Sequence, residues 1–140
     1  MIRDGFFRVA AVSPKIRVAD CSYNARSIGA AAKEAAQKGA NAAVFPELCL
    51  TGYTCGDLFL SETLLKGAET ALKQLIEDTA DMPLLCAVGV PVPAEGRLYN
   101  CAALFCRGEL LGLAAKTHIP NYGEFYEARH FSPAPEPGIE

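Results

Sequence analysis

Phe45-Pro46-Glu47-Leu48-Cys49-Leu50-Thr51-Gly52-Tyr53 closes an apolar, strand-like run that begins at Asn41. The run breaks at Pro46, where an extended residue is followed by a turn, and the first side chain past the break is the carboxylate of Glu47. A carboxylate leaving the end of a buried strand loses part of its solvation, which suits it to take up a proton. Taken alone, Glu47 has two readings, a site carboxylate or an exposed loop glutamate, because such positions are enriched at sites without being confined to them.

Working outward from this stretch, the chain alternates strands and helices. Phe6 to Val12 is an apolar run ending at Ser13-Pro14. Asp20 or Ser22 can cap a helix running to about Lys38, with Ile28, Ala32, Ala35 and Ala36 on one face and Gly39 as the stop. Ser61 is placed to cap a second helix to about Ala80, in which Leu64, Leu65, Ala68, Leu72, Leu75 and Ile76 form a stripe beside Lys66, Glu69, Lys73 and Glu77. Leu84 to Val90, Leu98 to Cys106 and Glu109 to Ala115 read as strands, the last two joined by a tight turn at Arg107-Gly108. The proline-rich tail, Ser132 to Gly138, reads as irregular. Helix-separated strands followed by a hairpin run predict an α/β fold, a mixed sheet with helices on one face.

The bulk properties narrow the function classes. With 140 residues, 51% of them hydrophobic and 21% charged, the chain buries one core and is one domain or part of a larger one. A net charge of −3 gives no reason to expect a nucleic acid or an anionic membrane surface as partner. The longest uncharged run, Met82 to Ala94, contains three prolines and falls short of the roughly 18 residues a membrane span needs. Asp4 and Arg8 interrupt the apolar residues near the start, which argues against a signal peptide and for a cytoplasmic location. Six cysteines are spread without a paired C-x-x-C arrangement, and several fall inside apolar runs. They read as small buried hydrophobes rather than as disulfides or a metal site.

A second segment repeats the motif of a buried strand that ends in charge. The run Leu110 to Ala115 leads into Lys116-Thr117-His118-Ile119-Pro120-Asn121-Tyr122-Gly123-Glu124-Phe125-Tyr126-Glu127-Ala128-Arg129-His130-Phe131. Seen alone, Lys116 is an ordinary strand-end lysine. With Glu47 it resembles the nitrilase, or carbon-nitrogen hydrolase, superfamily, whose catalytic set is a glutamate after one strand, a lysine after another and a cysteine further on. Within that superfamily, Thr51 to Leu60 and Tyr122 to Arg129 are similar to the amino-terminal glutaminase domains of glutamine-dependent NAD synthetases. The resemblance covers nearly the whole chain.

The resemblance implies part of an αββα sandwich that hydrolyses the side-chain amide of glutamine. Glu47 would be the general base and Lys116 the oxyanion donor. Glu127 would be the family's second glutamate, orienting Lys116 and keeping it charged, with its neighbour Glu124 ranked below it. Tyr53, Tyr122 and Phe125 would shape the glutamine pocket, Tyr122 making the polar contact; without the family, each aromatic reads equally as loop or core packing. No cysteine follows Lys116, so the expectation is a fragment that stops before the nucleophile and lacks the synthetase domain. It would need no cofactor itself, ATP and Mg belonging to that domain, which would receive the ammonia, and the full protein would be a homo-oligomer. Two other classes stay open at this stage: a stand-alone nitrilase-family amidase, and a non-catalytic binding or assembly module.

Overall fold

The computed structural model describes residue 2 and residues 4–135. Five strands form one mixed sheet: β1 (Val9–Ala11), β2 (Ala42–Val44), β3 (Leu85–Ala94), β4 (Arg97–Cys106) and β5 (Glu109–Ala115). They lie side by side in the order of the sequence. β1, β2 and β3 run parallel, and each step between them passes through a helix, α1 (Cys21–Gln37) and then α2 (Glu62–Asp78). Parallel neighbours need such a crossover, whereas antiparallel ones close with two residues. The antiparallel turns, Glu95-Gly96 and Arg107-Gly108, have positive φ at both central positions, the backbone that matches the twist of a hairpin.

Both helices lie where the apolar spacing predicts. The Asp20 carboxylate accepts from the Tyr23 amide at 3.0 Å and is the true cap of α1, while Ser22 lies inside the first turn, its hydroxyl accepting from Arg26. Gly39, at φ +81°, ends the helix as expected. Ser61 marks the start of α2 but its hydroxyl makes no capping bond, and Glu62 supplies the favourable negative charge of the first turn. Small residues let the helices approach closely, a Cβ at Gly29 being only 3.4 Å from Leu75 Cδ1.

The helices cover one face of the sheet. Ala43, Cys86 and Phe105 stand in register across three strands on that face, and with Val88, Val90 and Ala103 they are at most 1% exposed. The opposite face is open over β2, where Val44, in register with Ala87 and Leu104, is 48% exposed, while the turn that follows β2 packs over it at Gly89.

Two strands depart most from their expected bounds. β1 takes only the end of the Phe6–Val12 run, with Phe6 and Phe7 exposed. β3 continues through Pro91 and Pro93 to Ala94 because β2 pairs only with Leu85 to Ala87. Beyond Ala87 that edge of β3 faces no strand, so prolines cost it no ladder bond there. The tail is pinned where it is described, Ser132 donating to the Leu98 carbonyl and Ala134 to that of Lys116, each at 2.8 Å. The remainder of the expected irregular tail, 136–138, lies outside the described residues.

Candidate active site

Glu47 is carried by a tight turn rather than by a strand. The Phe45 amide still bonds the Ala87 carbonyl, and the chain then folds back so that the Thr51 and Gly52 amides both bond the Leu48 carbonyl. Leu48 takes φ +51°, a conformation that a side-chain-bearing residue adopts only when its surroundings enforce it. The enforcement is visible: Leu48, Leu50 and Thr51 are fully buried, and the Leu50 amide bonds the Gly89 carbonyl. From the other side, the buried Asn24 amide donates to the carbonyls of Leu50 and Arg17 and ties α1 to this turn.

Lys116 follows the last residue of β5, and its backbone N–H bonds the Asn100 carbonyl at 2.8 Å. Its ammonium lies 2.7 Å from Glu47 Oε1 and 3.0 Å from each carboxylate oxygen of Glu127. Glu127 opens a short 3-10 turn, Glu127–Arg129, and is 6% exposed. Partial burial alone would lower the Lys116 pKa. The hydrogen bonds and charges of Glu47 and Glu127 outweigh it and hold the pKa above the ordinary lysine value. The structure therefore brings together Glu47, Lys116 and Glu127, from three distant parts of the sequence.

Around this trio, Tyr53 donates its hydroxyl to Glu127 Oε1 at 2.7 Å. Desolvation, followed by that bond and the nearby carboxylates, pushes the phenol well above its usual range, so it remains a donor. Asp57 receives Arg129 through Nε and Nη2, and His130 Nε2 lies 3.0 Å from its Oδ1. Arg129 first, then His130, holds the Asp57 carboxyl well below the usual carboxylate range. That cluster clamps the turn carrying Glu127 onto the short 3-10 helix Gly56–Leu60. Beside the trio lies a cleft of about 200 Å³ lined by residues including Tyr53, Phe59, Glu124, Tyr126 and Glu127. Tyr122 and Phe125 do not line it; their rings pack edge to face on each other, 5.7 Å apart. A larger groove of about 950 Å³ between α1 and α2 contains none of the charged trio.

Asn100 was not legible as a site residue. It sits mid-strand in β4, 4% exposed, and its side-chain amide donates to Glu47 Oε1 at 2.5 Å. The available signal was a lone amide within the apolar run Leu98–Cys106. The six cysteines are all unpaired and five are buried. Burial pushes Cys21, Cys49 and Cys101 up to about 11 and Cys86 up to about 12, which keeps them as inert thiols. Among the described residues, no group of three or more His, Cys, Asp or Glu is placed to hold a metal ion, and no helix is long and apolar enough to cross a membrane.

A mixed sheet with helices on one face, and two turn-borne carboxylates converging on one strand-end lysine, match the nitrilase class of fold. Comparison with known families agrees, the carbon-nitrogen hydrolase pattern matching residues 8–139. The chain belongs to the carbon-nitrogen hydrolase family. It is 40% identical over 129 residues to the glutamine-dependent NAD(+) synthetase of Mycobacterium tuberculosis, covering 92% of this chain and 19% of that protein. The crystal structure of a glutamine-dependent NAD(+) synthetase from Cytophaga hutchinsonii superposes with a TM-score of 0.87 at 29% identity, over 94% of this chain and 22% of the other. An amidase from Nesterenkonia sp., at 24% identity and a TM-score of 0.77, covers 97% of this chain and 51% of its own, and shares the fold. The chain spans about a fifth of the length of the curated relatives it matches.

Proposed function

We propose that this chain is the amino-terminal part of a glutamine amidohydrolase domain whose whole protein is a glutamine-dependent NAD synthetase. The observation that carries the reading is one ammonium, Lys116 Nζ, within 3.0 Å of both Glu47 and Glu127. The similarity to NAD synthetases across 92% of the chain supports the choice of substrate class.

An amide carbon is a poor electrophile, and a thiolate lets the reaction proceed through a thioester in two easier steps. The reading requires that thiol from a segment outside residues 1–140, since the buried cysteines here are held as thiols. Glu47 takes the thiol proton as sulfur bonds the side-chain amide carbon of glutamine. Lys116, kept charged by its two carboxylates, stabilises the oxyanion of the tetrahedral intermediate; loss of one such donor costs on the order of 3 kcal/mol. Collapse breaks the carbon–nitrogen bond, with Glu47 returning the proton to the departing ammonia. Glu47 then deprotonates a water, which attacks the thioester and releases glutamate and the free thiol. Glu127, held by Tyr53, orients Lys116.

In the whole protein, the ammonia passes to a synthetase domain that uses ATP and Mg to amidate deamido-NAD, within a homo-oligomer. Nucleic acids and membranes have no part in this reading. A cytoplasmic setting belongs to the same reading. The test is hydrolysis by the native-length gene product of glutamine against a panel of simple aliphatic amides. Preferential release of glutamate from glutamine is expected, and turnover of aliphatic amides with glutamine untouched overturns the proposal.

A further inference from the structure

We infer that Asn100 is a positioning residue for Glu47, and that it makes Oε2 the carboxylate oxygen that carries the proton. The inference rests on the amide-hydrolase reading of this site. Asn100 holds the two reacting side chains through separate groups. Its side-chain amide donates to Glu47 Oε1 at 2.5 Å, and its backbone carbonyl accepts from the Lys116 N–H at 2.8 Å. Glu47 and Lys116 leave the ends of β2 and β5, two strands that never touch, and β4 is the strand that lies between Lys116 and β3. Asn100 is thus the residue through which the sheet sets the distance between base and oxyanion donor.

The oxygen assignment follows from lone-pair bookkeeping. A carboxylate oxygen has two lone-pair directions, and those of Oε1 receive Asn100 Nδ2 and Lys116 Nζ, at 2.5 and 2.7 Å. Among the described residues, Oε2 accepts from none. A proton arriving on Oε1 would have to displace a donor, and displacing the amide would strand a polar group on a residue only 4% exposed. Oε2 is open, and the Glu47 side chain is 42% exposed, so it is the oxygen that faces incoming groups. The thiol proton therefore lands on Oε2 and leaves from it, while Oε1 keeps the Asn100 amide and frees Lys116 to turn toward the oxyanion.

The test uses Asn100→Leu and Asn100→Asp in the native-length gene product. Both keep the backbone carbonyl, so the bond to Lys116 N–H and the strand pairing survive. For Asn100→Leu, kcat for glutamine falls about tenfold to a hundredfold, KM changes less than about twofold, and the acidic limb of the pH–rate profile moves to higher pH, because a donor to the ionised base is gone. For Asn100→Asp, activity relative to wild type rises as the pH falls, since the introduced carboxyl donates only when protonated. A merely structural asparagine would give neither shape. Either variant, folded, with wild-type kcat and an unmoved pH profile overturns the inference. A crystal structure of Asn100→Leu reads the same point without reference to substrate: Glu47 is expected to leave its place beside Lys116. If the Lys116–Glu47 contact persists unchanged, Asn100 is not its positioning residue. Absence of glutamine hydrolysis by the wild type alone would strike the proposed function instead.

Discussion

Gly89 on β3 supports the Glu47 turn from directly beneath, so closely that a Cβ there would lie 2.6 Å from the Pro46 carbonyl oxygen and 2.8 Å from the Glu47 carbonyl carbon. It would be closer still to the Leu48 amide nitrogen. Every atom it would meet is backbone, so the turn cannot yield by rotating a side chain. Gly89→Ala is expected to cost about 1–3 kcal/mol in chemical denaturation, as overpacking does, and to abolish amide hydrolysis by lifting Glu47 off its partners. Gly112→Ala on β5, where a Cβ meets nothing within 4 Å, is the control, with a change within about 0.5 kcal/mol.

Lys116→Met leaves Glu127, 6% exposed, without its cation. Removing one partner of a buried pair is strongly destabilising, and a loss of about 3 kcal/mol is expected at neutral pH, read from the denaturation midpoint. The pH dependence has a definite sign. The Lys116 pKa is raised in the folded state, so the pair's contribution is complete below the unfolded lysine value and disappears as the pH rises through the folded one. Wild-type stability should fall more steeply than that of Lys116→Met above about pH 10.

Asp57 titrates in the opposite sense. Arg129 and His130 hold its carboxyl below the usual range, so its contribution is present above the unfolded value and is lost as the pH falls below about 4. The pair is exposed, so its effect is one of local order rather than bulk stability. Asp57→Asn should loosen the 127–130 turn, seen as faster hydrogen exchange at the Phe131 amide, which bonds the Glu127 carbonyl. In wild type, the same exchange should rise with added salt, which screens exposed charge pairs.

Tyr53→Phe removes one of the donors to Glu127 while keeping the ring. A loss of about 1 kcal/mol is expected, with kcat affected more than KM if Tyr53 acts through Glu127 rather than on substrate. A rise in KM with kcat unchanged would instead return Tyr53 to the glutamine pocket.

The features legible in the sequence share one physical signature, an apolar run that ends in charge. That marked Glu47 and Lys116 as candidates, the family resemblance singled them out and added Glu127, and helical spacing marked the stripes of α1 and α2. Asn100 and Gly89 escaped because their roles exist only across the sheet, where β3 and β4 present them to a turn from another part of the chain. The capping of α1 fell to Asp20 and not Ser22, a choice set by backbone geometry that residue type alone does not decide. Among the aromatics, the sequence could not tell Tyr53, whose hydroxyl reaches Glu127, from Tyr122 and Phe125, which pack on each other.

The most direct test of the central claim separates the two sources of nitrogen. In the native-length gene product, NAD formation from deamido-NAD is measured with glutamine and with ammonium for wild type and Glu47→Gln. Loss of the base should lower the glutamine-supported rate by about a hundredfold or more and leave the ammonium-supported rate within about twofold. Equal loss of both rates, or of neither, would contradict the assignment of Glu47, Lys116 and Glu127 as the centre that releases ammonia from glutamine.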